Sequence, residues 1–454
     1  MPVINAFRIM KFVITALAIG LTASCSSQVT KLDLNPELSG KRMTDLQTQD
    51  VANEESSFST AMLNDLVQQP DIRAAEASLR AAKQSMLRVE ADSMPTVNFS
   101  ADGGILTEPE DLQPRINPVL SVARTLDDGG LQRAELEIAK LNLKLAQNDL
   151  YIRMDEKIAT ALEAHLLERY VDEVDRELNS FAKYYDEKKV DIEQAVAFGA
   201  VSKSEYLELQ QSLLALDERR LNLADLKTKI TLLRSSTTQK TLSQRPDILS
   251  PKKIKELLNT YNIPFVENAK IRERIAEQQI VAAESSGELQ VASIARLSGS
   301  QDANRDVQAF AGIQITFPVF DGGRLDADIM KLKEDAKSLS ANSDFVSQSL
   351  LEQMKAYSDN QRILDSKLNL NRSQVEIAGQ RVSLQKELLT SGQVKLSEIV
   401  SSVISELQLK IQYIDLDLQV RLAQLQLLKE AGASCVLIDA CKELELYAFT
   451  SEHG

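Results

Sequence analysis

The chain has no tryptophan, only two histidines (His165 and His453) and only three cysteines in 454 residues. A histidine-based triad or a histidine-rich metal cluster therefore has almost no raw material. Aromatic residues make up 5% of the chain. Basic charge is also short: 52 Lys and Arg face 66 Asp and Glu, for a formal charge of -14. That balance disfavours nucleic acid as a partner, because phosphates are held by clustered Lys and Arg. It suits an exported protein or a cation-attracting surface, and it equally suits solvated helix faces. No cofactor and no metal is expected, and an enzyme is the weakest reading for want of any nucleophile, base and ligand constellation. What is present, 43% hydrophobic and 26% charged residues, is enough for a sizeable core spread over two or three domains.

The N-terminus reads as a processing segment. Arg8 and Lys11 precede Phe12 to Leu21, an apolar run too short to span a bilayer. Met10 is an alternative start. Leu21-Thr22-Ala23-Ser24-Cys25 follows and resembles a bacterial lipoprotein box, with Thr22 where Leu is usual. The expectation is a signal peptide over 1–24, lipid on Cys25 and a linker over 25–62; an ordinary cleaved signal with a chance Cys is the alternative. Ser26, in place of Asp, favours sorting to the outer membrane. Cys435 and Cys441 then remain as a pair in an oxidising compartment, and a disulfide between them is expected, with two free cysteines in a mobile tail as the alternative.

Self-similarity organises the rest. LDDGG at Leu126–Gly130 recurs as VFDGG at Val319–Gly323, so Asp128 maps to Asp321 at an offset of 193. Gly199-Ala-Val-Ser-Lys-Ser-Glu205 recurs as Gly392-Gln-Val-Lys-Leu-Ser-Glu398 at the same offset, and Pro70 maps to Pro264 at an offset of 194. Two tandem copies follow, 63–233 and 262–430, joined by a connecting segment over 234–261 and closed by a tail over 431–454. Each copy opens with a helix whose apolar spacing of 3 and 4 marks a seam. Strands are expected near Pro95 to Ala101, Ile116 to Leu126, Leu289 to Leu297 and Val307 to Phe320. In the last, Ala309, Ala311, Ile313 and Ile315 alternate with Gln308, Phe310, Gly312 and Gln314. From Leu131 to Phe198 there is no Gly or Pro, which predicts a helix of roughly 100 Å. Heptad spacing at Leu223, Leu226, Ile230 and Leu233 predicts its return arm. The fold class is mainly α with a small β part, built of long helical hairpins.

Four strands cannot close a barrel, and open edges are not tolerated in lipid. Two copies would enclose only side chains, whereas three give twelve strands and a lumen. At this point Phe317-Pro318-Val319-Phe320-Asp321-Gly322-Gly323 followed by a long helix resembles the strand-to-helix passage of the TolC-like outer-membrane factors. The resemblance covers about residues 60 to 430. It implies a homotrimer with a twelve-stranded barrel in outer-membrane lipid and a periplasmic helical tunnel. It further implies a periplasmic adaptor protein and an inner-membrane transporter of RND or ABC type, exporting small molecules or protein. The first copy departs from the pattern, with Arg124-Thr125-Leu126-Asp127-Asp128, and there is no Leu-Gly-Gly-Gly-Trp-like ending. A non-channel coiled-coil lipoprotein, structural or adhesive, is the competing reading, and it does not need alternating strands.

Two groups of residues stand out. Asp128, Gly129, Gly130, Pro318, Asp321, Gly322 and Gly323 are expected to shape strand-to-helix turns, with glycine taking positive φ and aspartate capping. Gly199, Val201, Ser204, Gly392, Val394 and Ser397 sit at the hairpin reversals and are expected to receive the adaptor, with the valines exposed; for the glycines alone the tight reversal is the better explanation, and the serines could serve only as caps. The acidic run from Asp186 to Glu193 lies near the first reversal, either as a solvated face or as a lumen-facing constriction.

Overall fold

The computed structural model describes residues 65–108, 111–235, 249, 252–254, 256, 263–299 and 307–450. The signal segment, Cys25, the linker and most of the 234–261 connection lie outside the described residues. All that follows concerns the unit from Glu55 onward.

Helix α1 (Pro70–Asp92) leads into strands β1 (Thr96–Glu108) and β2 (Asp111–Asp127). Helices α2 (Leu131–Ala197) and α3 (Lys203–Ser235) form a hairpin. The order then recurs as α4 (Pro264–Ser286), β3 (Gln290–Gly299), β4 (Val307–Thr316), α5 (Arg324–Thr390) and α6 (Leu396–Ala431). Helices α1 and α4 are both 23 residues long, and α2 and α5 are both 67. At 1.5 Å per residue the long ones reach about 100 Å. Both short helices start with proline just inside an extended N-cap, Gln69 or Ile263. Proline serves there because its missing N–H would have had no helical partner. Among the described residues no helix is long and apolar enough to cross a membrane.

The four strands form one antiparallel sheet in the order β1-β2-β3-β4. Its extent corrects the sequence reading. The first pair is longer than expected, because pairing persists through Gly103 and Gly104 and through Pro114 and Pro118. Both prolines lie where β2 pairs with β1 alone, since pairing with β3 starts only at Val119. A missing N–H is tolerated on a one-sided strand. Strand β3 runs two residues further than expected, to Gly299, whereas β4 ends at Thr316 and not at Phe320. Pro318 cannot donate to a ladder, and Phe317–Phe320 leaves the strand.

Helix α2 is the spine of the unit. Its Leu150, Tyr151, Met154, Ile158 and Leu162 are fully buried in one core with Leu66, Ile72, Leu444 and Ala448. Toward the hairpin end, Val171, Val174 and Leu178 pack with Leu209, Leu216, Leu223 and Ile230 of α3 and with Val400 and Ile404 of α6. The tail folds back on this core through a 3-10 turn (Ser434–Ile438) and helix α7 (Cys441–Thr450). Cys435 and Cys441 are joined in a disulfide. Beneath them the buried Asp155 carboxylate accepts the N–H groups of Ser434 at 3.0 Å and Cys435 at 2.7 Å.

Candidate functional site

The informative surfaces of the unit are its two long edges and the two faces of its sheet. Among the described residues no group of three or more His, Cys, Asp or Glu is placed to hold a metal. Beside the sheet, α1 packs on α2, α2 on α4 and α4 on α5. Farther along, α3 packs on α2, α2 on α6 and α6 on α5. The element order is therefore β1 to β4 in the sheet, α1 to α5 in the near tier and α3 to α5 in the far tier. At every level one edge is formed by β1, α1 or α3, and the opposite edge by β4 or α5.

These edges are apolar where they should be solvated. Helix α3 buries Leu209, Leu216, Leu223 and Ile230, yet a second heptad row, Leu207, Leu214 and Leu221, is exposed. Helix α5 buries Leu350, Tyr357, Leu364 and Asn371, while Ile363, Leu370, Ile377 and Leu384 form an exposed row at the same interval of seven. Each of these helices thus carries two apolar rows, of which this chain covers one. Counted from the hairpin ends, Leu207, Leu214 and Leu221 stand at the levels of Leu384, Ile377 and Leu370. Sequence reading missed both outer rows. The signal was there as leucines two positions before each inner-seam leucine of α3.

Cross-strand register sorts the sheet into two faces. Val97 and Phe99 of β1 lie with Leu120 and Val122 of β2, then Leu297 and Ala295 of β3, then Ala309 and Ala311 of β4. Ile313 and Ile315 extend this face, and Phe99, Ile313 and Ile315 are all highly exposed. The other face carries Asn98, Ser100, Ser121, Arg296, Ser298, Gln308 and Gln314, with Val119, Ile294 and Phe310 among them. One apolar and one mostly polar face is the pattern of a wall between lipid and water.

The strand-to-helix turns share one geometry. Asp128 accepts the N–H of Gly130 at 3.0 Å and of Gln132 at 2.9 Å. Asp321 accepts the N–H of Gly323 at 2.9 Å and of Leu325 at 2.7 Å. Those two bonds, Leu325 first, hold the Asp321 carboxyl below the usual carboxylate range. Both glycine pairs are left-handed, with φ of 68° and 96° at Gly129 and Gly130 and 73° and 82° at Gly322 and Gly323. Each aspartate thus satisfies helix N–H groups that have no other partner while glycine makes the bend. Pro318 precedes the second turn.

At the first hairpin end, Gly199 N–H donates to Val196 O at 3.0 Å and Ala200 N–H to Ala195 O at 2.8 Å. At the second, Gly392 N–H donates to Leu389 O at 3.0 Å and Gln393 N–H to Leu388 O at 3.1 Å. Both are Schellman stops on a left-handed glycine. This overturns one expectation. Val201 is 4% exposed, because the reversal tucks it under the tip with its N–H on Ala195 O; Val394 is half-buried. Nor are the expected serines caps. Ser202 and Glu205 form a reciprocal capping box, at 3.2 and 2.8 Å, while Ser204 is exposed and Ser397 is buried inside α6. Lys395 reaches Glu205 at 3.5 Å and ties the two tips together. The exposed apolar group of the first tip is Phe198, 85% exposed at the helix stop, which sequence reading passed over. Asp186, Glu187, Asp191 and Glu193 are exposed in the single chain.

Three helices are also joined by polar contacts. Tyr170 of α2 donates to Asp415 of α6 at 2.6 Å, and Arg219 of α3 pairs with Asp415 at 2.5 Å and touches the tyrosine hydroxyl. Burial, and then the Asp415 charge, push the Tyr170 hydroxyl up, so it remains a donor.

No protein-family model and no curated protein matches the chain. Solved structures do. The Campylobacter jejuni CmeC outer membrane channel superposes with a TM-score of 0.68 at 12% identity, covering 84% of this chain and 86% of that one. The Vibrio cholerae outer membrane protein VceC gives 0.67 at 17% identity, covering 84% and 96%. The open-state Neisseria gonorrhoeae MtrE outer membrane channel gives 0.69 at 15% identity, covering 83% and 89%. These neighbours are TolC-family outer-membrane channels, and the chain has their fold.

Proposed function

We propose that this chain is the outer-membrane channel of an export assembly, closing with two further copies into a twelve-stranded barrel continued by a twelve-helix tunnel. The observation that carries the reading is the agreement of the edges. The sheet and both helical tiers each end in one edge of β1, α1 or α3 and one of β4 or α5, so a single rotation joins all three levels. Such a head-to-tail interface closes into a ring. The apolar sheet face then meets lipid, the polar face lines the lumen, and the outer rows of α3 and α5 bury one another. The outer membrane channels that share the fold support transport over catalysis.

Lipid on Cys25 would anchor the N-terminus in the outer membrane, and intact mass should show a chain that begins at Cys25 with acyl groups. A mature start elsewhere removes the anchor. The adaptor and the transporter behind it would engage the hairpin tips, where Phe198 presents an apolar surface and Ser204 is exposed on the first, and Val394 is half-buried on the second. The test of the whole reading is purification in detergent followed by recording in planar bilayers. Discrete cation-favouring conductance from a trimeric species is expected, the cation preference following from the charge of -14. A stable monomer that never conducts would sink it.

A further inference from the structure

The cross-strand register places Asn98, Ser121, Arg296 and Phe310 side by side on one belt of the polar sheet face. Both large members are exposed, with Phe310 at 62%. Phe310 has a seat: its ring lies along β4 over Gly312, where an added Cβ would meet ring Cζ at 2.8 Å. The missing side chain at 312 therefore lets the ring lie flat against the wall with one face free. Next to it, one strand away, stands the Arg296 guanidinium. The nearest other charge that the register puts on this face is Asp102, four residues along β1 from Asn98. The belt is thus locally positive in a chain of net charge -14.

We propose that Arg296 and Phe310 form a selectivity belt in the lumen that favours aromatic anions. The proposal rests on the channel reading, because it needs the polar face to line a closed barrel. Three copies would then repeat the pair, alternating guanidinium and phenyl faces around one ring. A guanidinium presents a rigid fork that takes a carboxylate or sulfonate through two parallel hydrogen bonds. A neighbouring ring face accepts an aromatic body by offset stacking. A solute carrying both groups satisfies both partners at once, whereas a simple anion uses only the first. Low-dielectric walls around water strengthen the field of the three guanidinium groups.

The experiment is single-channel recording of the full-length protein under a potassium chloride gradient, with and without pyrenetetrasulfonate as probe. Arg296→Ala should deepen the cation preference expected of the wild type and Arg296→Glu should deepen it further, while Arg296→Lys leaves the reversal potential near the wild-type value. The probe should block the wild type at concentrations about tenfold lower than Arg296→Ala, the loss of one paired contact. Phe310→Ala should weaken the block without moving the reversal potential, which separates the stacking surface from the charge. Unchanged reversal potential and unchanged block in Arg296→Glu channels overturn the belt while leaving the channel intact. A wild-type protein that conducts under no condition overturns the barrel reading, and the belt with it.

Discussion

Single residues in this protein settle local geometry, and Asp155 is the clearest case. Burial pushes its carboxyl up to about 6, against the downward pull of the Ser434 and Cys435 N–H groups. The folded state therefore binds more protons than the unfolded one between about pH 4 and 6. The stability contributed by Asp155 is complete below that window and is lost as pH rises through it, on the order of 3 kcal/mol for a shift of about two units. Thermal melting in detergent should show the tail loosening between about pH 4 and 6, and Asp155→Asn should flatten that dependence. An unchanged pH profile in the variant would mean that burial does not govern the group. The disulfide above it closes a short loop, so its loss should cost about 2 kcal/mol. Counting thiols in unfolded, unreduced protein should find neither Cys435 nor Cys441 free. Aspartate at 128 and 321 was legible in sequence because Asp-Gly-Gly before a helix has one economical geometry. Asp155 was not legible, because its partners are backbone groups some 280 positions away.

Elements show how far apolar spacing carries. The inner seam of α3 was readable from intervals of three and four at Leu223, Leu226, Ile230 and Leu233, since such a row must meet a partner. Strand ends were misjudged because Gly103, Pro114 and Pro118 look like punctuation until the edge position of their stretch is known. Val201 was misjudged because the reversal that buries it depends on a left-handed glycine, which spacing does not describe. That correction yields a prediction: Val201→Asp should destabilise the first tip by about 3 kcal/mol, the cost of an unpaired buried charge. Val394→Asp, half-buried, should cost less and should instead report on export. Hydrogen exchange across 195–206 measures the first effect, and equal protection in both variants would contradict the burial argument. Helix α5 offers a complementary case. Its seam holds Asn371, whose amide has no hydrogen-bond partner among the described residues. Asn371→Leu should raise the thermal stability of the second hairpin by about 1 kcal/mol, since an unsatisfied buried amide is replaced by packing. A lowered melting temperature would show that a polar partner sits there in the assembled protein.

At the scale of the whole molecule the proposed channel raises the question of how many copies would close its ring, and the three levels constrain one another. Each chain offers a four-stranded sheet with both edges open, and an exposed edge in lipid leaves backbone groups without partners. Two chains would close eight strands around an interior filled by side chains, which leaves no space for the exposed polar face with Arg296 and Phe310. Three chains give twelve strands and a water-filled interior. The helical tiers must close with the same rotation, which requires the exposed row Leu207, Leu214 and Leu221 on α3 to meet Leu384, Ile377 and Leu370 on the next chain's α5. Rows with one interval, running antiparallel from tips tied by Lys395 and Glu205, allow that meeting without distortion. A chain carrying Leu214→Cys and Ile377→Cys should therefore form covalent dimers and then trimers on mild oxidation in membranes, with the ladder stopping at three. Leu214→Cys paired instead with Met330→Cys, far from the tips, should stay uncrosslinked. A ladder that stops at two would exclude the lumen, and one that continues past three would mean an open, filament-forming contact.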